Sequence, residues 1–367
     1  MRRWPTKPLG EIAVVQMGQS PPGESYNTDG KGLPFFQGKA EFGEEHPTVA
    51  KWCSQPSRVA EAGDILLSVR APVGPTNFAT ERCCIGRGLA AIRGERNQCN
   101  QRYLRYYLKR FEVDIAARGV GSTFTAINRN DVEQLELPVP PLAEQERIVK
   151  LLDEADGLRK LRAQADRRTA DLVPALFHVM FGDPARNPKR WIVQPFGDVV
   201  INHDSRRKPV KEDDRAKRHG RYPYYGASGI IDSIDDYIFE GTFLLIAEDG
   251  MNLINRTKPI ALTAAGQFWV NNHAHIVAAG EAIELTYIQE LLNLTDLRDF
   301  VTGIDQMKLT RTNMDRIPVP IPPLALQEEF AHRAAEVREL EAAQAASRQR
   351  LEALFQSVLH RAFNGDL

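Results

Sequence analysis

The chain has 367 residues, more than one compact domain usually holds, and its 43% hydrophobic and 26% charged residues are typical of a protein that buries ordinary cores. The formal net charge of −1 argues against a protein that wraps nucleic acid alone, because such proteins normally carry a basic surplus. No apolar run approaches the roughly 20 residues that span a bilayer, and the polar N-terminus does not resemble a signal peptide, so we expect a cytoplasmic protein without a membrane partner.

Two variable blocks, block one (residues 1–142) and block two (residues 183–324), carry short strand and helix patterns. In the first block, residues 64–69 (DILLSV) form an apolar run beside a glycine, which favours a strand, and residues 103–108 (YLRYYL) favour a short helix. In the second block, residues 237–239 and 268–270 favour strands, and residues 287–292 (YIQELL) favour a helix. The mixture predicts the α+β fold class, with two α/β globules.

A long helical pattern follows each block, with apolar or small residues at alternating steps of three and four. The predicted seam positions are Ile148, Leu151, Ala155, Leu158, Arg162, Ala165, Thr169, Leu172, Leu176 and Val179 in the first helix, and Phe330, Arg333, Val337, Leu340, Gln344, Ser347, Leu351, Leu354 and Val358 in the second. A heptad seam sustained over about five repeats is typical of a two-helix coiled coil.

The helix ends have recognisable signals. Gly182 followed by Pro184 predicts the end of the first helix, Gly365 predicts the end of the second, and Pro174 predicts a kink. The first helix leads from block one to block two, and the second leaves block two. If the two seams pair, the coiled coil is therefore antiparallel.

Several phrases recur in the same order in both halves. Residues 4–12 (WPTKPLGEI) match residues 191–199 (WIVQPFGDV), and residues 137–146 (LPVPPLAEQE) match residues 319–328 (VPIPPLALQE). Such self-similarity indicates two copies of one structural unit, related by a pseudo-twofold repeat. The predicted domains are a globule at 1–142, a helix at 143–182, a globule at 183–324 and a helix at 325–367.

Three features of the sequence bear on catalysis or metal binding. Residues 18–25 (GQSPPGES) have the glycine spacing of a phosphate-binding loop, but Glu24 stands where a lysine is required. His273 and His275 could ligate a metal, yet a pair on a strand is the preferred interpretation because no acidic or sulfur partner lies at helical spacing. The four cysteines form no C-x-x-C pair and are expected to be reduced thiols. The sequence predicts no catalytic residue, cofactor or metal in this chain.

Local features favour nucleic-acid contact. Residues 202–221 hold eight basic residues against four acids and are followed by tyrosines, which suits phosphate anchoring and groove contact, although a solvated loop is the alternative. Block one places basic and amide side chains in or beside glycine-rich turns, and residues 121–124 and 303–308 occupy equivalent places before the proline phrases. The candidate DNA-binding residues are Gln37, Lys39, Arg70, Arg87, Ser122, Thr123, Arg206, Arg207, Lys208, Tyr224, Tyr225, Asn271, Asn272, His273 and Lys308.

These phrases resemble a known family. The proline phrases with residues 143–149 (AEQERIV) and 325–330 (ALQEEF) resemble the conserved regions of type I restriction-modification specificity subunits. Three further segments of this chain are similar to parts of the family's target recognition domains: residues 68–74 (SVRAPVG), 84–89 (CIGRGL) and 269–275 (WVNNHAH). The resemblance covers the whole chain in the right order.

The resemblance implies two target recognition domains that each read a short half-site in double-stranded DNA. It implies two modification subunits that bind S-adenosylmethionine and methylate adenine, and, where a restriction subunit joins, a component that uses ATP and magnesium. This chain would be non-catalytic, and its partners would supply much of the phosphate contact. About 36 helical residues would give a spacer of roughly 54 Å, on the order of 16 base pairs.

Three other functions are compatible with the sequence. The chain could be a free-standing sequence-specific DNA-binding regulator, which would bind its site without partners. It could be a structural coiled-coil adaptor, which would not retain DNA selectively. It could also be the specificity subunit of a fused methyltransferase-nuclease system.

Overall fold

The computed structural model describes residues 4–119, 126–303 and 306–367. The chain divides into two compact units: unit 1 is Met1–Ala163 with Ser347–Leu367, and unit 2 is Gln164–Ala346. Each unit therefore includes part of both long helices. The predicted domain limits, which set the helices apart from the globules, stay a prediction.

Unit 1 is a mixed α+β unit. Its strands are β1 (Thr6–Pro8), β2 (Ala13–Met17), β3 (Tyr26–Asn27), β4 (Leu33–Phe36), β5 (Trp52–Cys53), β6 (Val59–Ala60), β7 (Ile65–Ser68), β8 (Thr76–Phe78), β9 (Cys83–Ile85), β10 (Leu89–Gly94) and β11 (Glu136–Pro138). Its short helices are α1 (Gln101–Arg110), α2 (Glu112–Ala117) and α3 (Arg129–Glu133). The sheets have the strand orders β2-β10-β7-β8, β3-β5-β4-β9-β6 and β1-β11. The predictions of a strand at 64–69 and a helix at 103–108 are confirmed.

The central strand β7 of unit 1 is buried on both faces. Ile65 and Leu67 point into a core that contains Tyr103 of α1, whereas Leu66 points to the opposite face and packs in the cluster of Phe36. Successive strand residues point to opposite faces, so an unbroken apolar run fits a strand that is covered on both sides.

The first long helical segment breaks near its proline. Helix α4 spans Leu142–Ala170 and α5 spans Leu172–Phe181, so the interruption lies at Asp171. Pro174 has no N–H to donate to the carbonyl of Ala170, and its ring crowds that carbonyl, which explains the break. Gly182 follows α5 with φ +86° and ψ −174°, a backbone conformation that glycine adopts without strain. The predicted kink and helix end are confirmed.

Unit 2 is also a mixed α+β unit. Its strands are β12 (Ile192–Pro195), β13 (Val200–Asn202), β14 (Tyr222–Gly226), β15 (Gly229–Ile234), β16 (Phe239–Ala247), β17 (Ala261–Val270), β18 (Ala274–Ala279) and β19 (Pro318–Ile321). Its helices are α6 (Phe196–Val199), α7 (Glu212–Arg215), α8 (Asn252–Asn255), α9 (Leu285–Leu294) and α10 (Arg311–Asp315), and the long α11 (Leu324–Asn364) begins here. The sheets have the orders β13-β18-β16-β17-β14-β15 and β12-β19. The predictions of a strand at 268–270 and a helix at 287–292 are confirmed, whereas at 237–239 the strand begins only at Phe239.

A buried glutamine at the start of α4 connects three segments of unit 1. The Nε2 of Gln145 donates to the carbonyl oxygens of Gln98 (2.9 Å) and Pro140 (2.8 Å), and its Oε1 accepts from the backbone N–H of Asn100 (2.7 Å). Asn100 is the N-cap of α1. The glutamine therefore ties the long helix to the proline phrase and to the first turn of the short helix.

The same contacts recur in unit 2. The Nε2 of Gln327 donates to the carbonyl oxygens of Ala282 (3.1 Å) and Pro322 (2.8 Å), and its Oε1 accepts from the backbone N–H of Glu284 (2.9 Å). Glu284 is the N-cap of α9. The two repeated proline phrases therefore perform the same structural task in the two units.

The predicted seam of the first helix is wrong at Leu158, Leu172 and Val179, which are exposed. Leu158 and Val179 are 49% and 76% exposed, whereas Leu152, Val173 and Met180 are buried. The buried positions step from 148 to 152 and then to 155, with the step of four before the step of three. The prediction followed leucines that lie on an exposed flank of the helix.

The seam predicted for α11 is also wrong at some positions. Leu340 and Leu354 are nearly half exposed, whereas Ala334 and Phe355 are fully buried. In unit 2, Gln344 donates to the hydroxyl of Thr169 (2.9 Å). There too, Phe330 of α11 packs edge-on against Phe177 of α5. Later residues of the first segment thus face earlier residues of α11, so the segments run in opposite directions within this unit.

Candidate nucleic-acid interface

Tight turns gather at one edge of unit 1. The backbone N–H of Gly18 donates to the carbonyl of Leu89 (2.8 Å), and that of Gly88 donates to the carbonyl of Gln37 (3.1 Å). A Cβ atom on Gly18 would lie 2.1 Å from the carbonyl oxygen of Gly86, so only glycine permits this approach. The close packing fixes the position of the exposed turn between Gly86 and Gly88.

Two predicted arginines meet at this edge. Arg70 and Arg87 are exposed and line a cavity of about 400 Å³ together with Met17 and Asn128. Arg70 forms an antiparallel bridge with Ala126, the residue after the segment 120–125. Ser122 and Thr123 belong to that segment and lie outside the described residues. The edge therefore presents two guanidinium groups that can reach phosphates or guanine edges.

The two other described candidates of unit 1 differ in the exposure of their side chains. Gln37 is half-buried, and its amide donates to the hydroxyl of Ser20 (3.1 Å). Lys39 is exposed in the 3-10 turn Lys39–Glu41.

An ion-pair network occupies the corresponding region of unit 2. Arg207 donates through Nη1 to Glu248 (2.6 Å) and to the carbonyl of Ala274 (2.7 Å). The ammonium of Lys308 lies 3.1 Å from the other oxygen of Glu248. Burial alone would raise the pKa of Glu248, but the hydrogen bonds from Arg207 and Lys308 and the nearby His275 ring lower it. Arg207 is therefore a structural residue, and its prediction as a free DNA contact is not supported.

His275 is buried beneath this network. Its Nδ1 lies 2.6 Å from a carboxylate oxygen of Asp204, and its Nε2 lies 2.8 Å from the carbonyl of Leu309. Burial would raise the pKa of Asp204, but the contact with His275 and the backbone N–H of Ile276 hold it below its usual value. Sequence reasoning missed Asp204 and Glu248, because their partners lie tens of residues away along the chain.

His273, by contrast, is exposed. Its Nδ1 lies 2.8 Å from a carboxylate oxygen of Asp249. Asp249 forms an antiparallel bridge with Lys308, as Arg70 does with Ala126 in unit 1. The two units thus place a bridged strand end beside the loop that precedes each proline phrase.

Other candidates of unit 2 divide between core and surface. Tyr224 is fully buried, and its hydroxyl accepts from the backbone N–H of Val210 (3.0 Å), so its prediction as a DNA contact is corrected to a core residue. Asn271 is also buried, and its Oδ1 accepts from the backbone N–H of His273. Tyr225 is half-buried against Phe268, whereas Asn272 is exposed.

Most arginines in the basic cluster at 206–221 have local partners. Arg215 pairs with Asp232 (2.5 Å) and Arg218 with Asp235 (2.8 Å). Arg206 donates to the carbonyl of Ile238 and stacks over Phe239. Lys208 and Lys211 are exposed and form no ion pair among the described residues. The cluster therefore offers fewer free cations than its sequence suggests.

Across residues 4–119, 126–303 and 306–367, no group of three or more His, Cys, Asp or Glu side chains is arranged to hold a metal ion. Within the same described residues, no helix has the length and apolar character needed to cross a membrane.

The family of the chain follows from its match to a family model. The model described as "Type I restriction modification DNA specificity domain" matches residues 1–165 and again residues 188–351. The chain therefore belongs to this family, and the family identification made from the sequence is confirmed.

Curated relatives agree with this assignment. The putative type I restriction enzyme MjaX specificity subunit of Methanocaldococcus jannaschii is 44% identical over 161 residues, which cover 43% of this chain and 38% of that protein. The putative type I restriction enzyme specificity subunit S.HindORF215P of Haemophilus influenzae is 38% identical over 137 residues, which cover 37% of this chain and 34% of that protein. The matches span less than two fifths of the length of these relatives.

A solved structure shares the fold. The S subunit of a type I restriction-modification system from M. genitalium aligns with a TM-score of 0.61 over 98% of this chain and 96% of that chain, at 16% identity. The likeness supports the mixed α+β fold.

Proposed function

We propose that this chain reads a bipartite sequence in double-stranded DNA as the specificity subunit of a type I restriction-modification complex. The observation that carries the proposal is duplication: the specificity-domain model matches twice, and the buried glutamine contacts recur in both units. Each unit would read one half-site. The domain limits at 142, 182 and 324 and the pseudo-twofold relation belong to this proposal.

The two half-sites should differ. At the bridged strand end, unit 1 carries Arg70, whereas unit 2 carries Asp249 paired with His273. Arginine suits the acceptor edge of guanine, and aspartate suits the amino group of cytosine. Unlike side chains at equivalent places favour unlike sequences. For the half-site contacts we retain the exposed or half-exposed candidates Gln37, Lys39, Arg70, Arg87, Arg206, Lys208, Tyr225, Asn272, His273 and Lys308.

The long helices would set the distance between the half-sites. They contain 29 residues in α4, 10 in α5 and 41 in α11. An antiparallel coiled coil of these segments, acting as a rigid spacer, would hold the two recognition units apart and fix the number of unspecified base pairs.

Two modification subunits would dock on the helices. Exposed apolar side chains occur on α4 at Leu158 and Leu161, on α5 at Val179 and on α11 at Leu340 and Leu354. Such residues on long helices suit packing against partner helices. Methylation with S-adenosylmethionine would belong to these partners, ATP and magnesium to a restriction subunit, and this chain would contribute recognition only.

A matched lengthening of both helices tests the proposal. Seven residues inserted before Thr169 in α4 and seven after Gln344 in α11 preserve the heptad phase, and the two insertions lie opposite each other. They add roughly 10 Å, or about three base pairs. Mapping adenine methylation by the reconstituted complex should show unchanged half-sites and a spacer that is longer by about three base pairs.

The control keeps the length constant. Substituting exposed residues in the same two stretches without insertion should leave the spacer unchanged. An unaltered spacer in the lengthened variant would contradict the spacer role. Tight, site-selective DNA binding by the isolated chain would instead favour the free-standing regulator.

A further inference from the structure

Unit 1 contains a cavity that the proposed DNA interface does not use. It lies between α1 and α4, has a volume of about 270 Å³, and is lined by five cationic side chains. These are Arg102, Arg105, Lys109, Arg159 and Lys160, and three carboxylates, Glu44, Glu45 and Asp156, also line the cavity. We propose that this cavity binds the phosphate group of a small phosphate monoester, with Arg105 and Lys109 as its principal contacts.

Arg105 has unmet hydrogen-bonding capacity. Its side chain is 13% exposed, and its Nε–H is buried without a partner. The nearest carboxylate is that of Glu45, at 3.5 Å, and this carboxylate lies closer to Lys160, at 3.0 Å. A buried charged donor without an acceptor is costly, and a bound ion is a common explanation for such a group. A phosphate bound in the cavity would give this guanidinium an acceptor besides Glu45, whose contact with it is long.

Lys109 is the second cation that the ligand would contact. It lies at the rim of the cavity, and its ammonium is 5.3 Å from the ring centre of Phe355. It forms no ion pair among the described residues. Partial burial lowers the pKa of Lys109, and repulsion from Arg159 and Arg105 adds to this effect although Asp156 opposes it, so a further anion would stabilise the charged form of Lys109.

The remaining cations are already neutralised and would define the walls. Arg102 pairs with Asp153 at 2.7 Å. Arg159 pairs with Asp156 at 2.9 Å and with Glu352 at 2.6 Å. These carboxylates hold the guanidinium groups in place, so Arg105, with its long contact to Glu45, and Lys109 are the cations left to bind the ligand.

The volume of the cavity and the aromatic residues that line it favour a small ligand. Sites for drug-sized ligands usually occupy about 300–1,000 Å³, so 270 Å³ suits a smaller group such as a phosphate ester. Phe78 and Tyr106 line the cavity, and the guanidinium of Arg105 stacks 4.6 Å over the ring of Phe78. The stacking fixes the arginine, as oxyanion recognition requires.

The cavity lies away from the candidate DNA interface. Strand β7 runs from Ile65 to Ser68, and Arg70 follows its C-terminal end. Phe78 pairs with Ile65 at the opposite end of the strand. The ligand is therefore distinct from the DNA half-site, and the proposal does not depend on the proposed function.

Unit 2 provides an internal comparison. The groove between α9 and the long helices has a volume of about 390 Å³ and is lined by Glu290, Asn293 and Arg338. By the repeat, Glu290 stands where unit 1 has Tyr106, and Asn293 where unit 1 has Lys109. Burial raises the pKa of Glu290. The groove holds three cations (Arg256, Lys258 and Arg338) against two carboxyl groups (Glu290 and Glu341), a smaller cationic surplus than the five against three in unit 1, so we expect phosphate binding in unit 1 alone.

Calorimetric titration of the full chain with inorganic phosphate, at constant ionic strength, tests the pocket. We expect one saturable site. Arg105→Gln and Lys109→Gln should each weaken phosphate binding at least tenfold, and Arg105→Lys, which keeps the charge but removes the planar guanidinium, should also weaken it. Arg338→Gln in the unit 2 groove is the matched control and should bind phosphate as the unaltered chain does.

Parallel measurements separate other outcomes. Circular dichroism and thermal unfolding should show that each variant is folded, and Lys109→Gln on the rim keeps the test decisive if Arg105→Gln does not fold. Acetate represents a carboxylate of a partner protein and should bind at least tenfold more weakly than phosphate. Absence of a saturable site, equal binding of acetate, or full binding by both cavity variants would overturn the proposal, whereas DNA recognition by the complex would be unaffected.

Discussion

The buried glutamine of unit 1 supports a quantitative prediction. Replacing Gln145 by Met keeps the approximate volume but removes three hydrogen bonds. It leaves the carbonyls of Gln98 and Pro140 and the N–H of Asn100 without this partner. Each unsatisfied buried group costs about 1–3 kcal/mol, and partial relaxation is expected, so the free energy of unfolding of unit 1 should fall by about 3–5 kcal/mol.

Urea unfolding combined with hydrogen exchange measures this effect. Exchange should accelerate most at the N-terminus of α1, because Asn100 caps that helix. Gln327→Met should have a similar effect on unit 2, since the same three contacts are lost. The exposed Gln349→Met is the control and should change stability by less than about 0.5 kcal/mol. A loss below about 1 kcal/mol for Gln145→Met would refute the argument that this residue anchors the helix.

Two further predictions concern packing and pH. Phe355→Ala should lower the free energy of unfolding, measured in urea, by about 3–5 kcal/mol because Phe355 is buried. The neighbouring Leu354→Ala should lower it by less than about 0.5 kcal/mol, because Leu354 is nearly half exposed. Equal losses for the two variants would contradict the corrected seam. The pKa of Asp204 is lower in the folded protein than its usual value, so its contribution to stability is complete above about pH 5 and is lost as the pH falls below about 4. Asp204→Asn should flatten the decline in the urea midpoint between pH 5 and pH 3, and an unchanged decline would contradict this role.

Local patterns in the sequence predicted the elements well. The helix end at Gly182 and the break near Pro174 depend on the backbone chemistry of one or two residues, which is visible in the sequence. The seam was harder to predict because the helices carry leucines on two adjacent flanks. Leu158 and Leu354 are as apolar as any buried position, and only the tertiary contacts show that they face outward.

The candidate site was only partly predictable, for a different physical reason. Whether a basic side chain is free depends on carboxylates that fold next to it. Arg207 meets Glu248, 41 positions away, so the sequence alone could not show that its charge is already neutralised. Arg70 and Arg87, by contrast, lie on glycine-rich turns and are exposed, as that composition indicates. The anchoring role of Gln145 had a signal, since the same glutamine recurs in both proline phrases.

Mapping the methylated adenines produced by this chain together with the proposed modification subunits tests the central claim most directly. The expected result is a motif of two short specified blocks that differ in sequence and are separated by a constant number of unspecified base pairs. Exchanging unit 2 for that of a relative should then change one block and leave the other intact. A single continuous motif, or a change of both blocks on that exchange, would contradict recognition by two independent units.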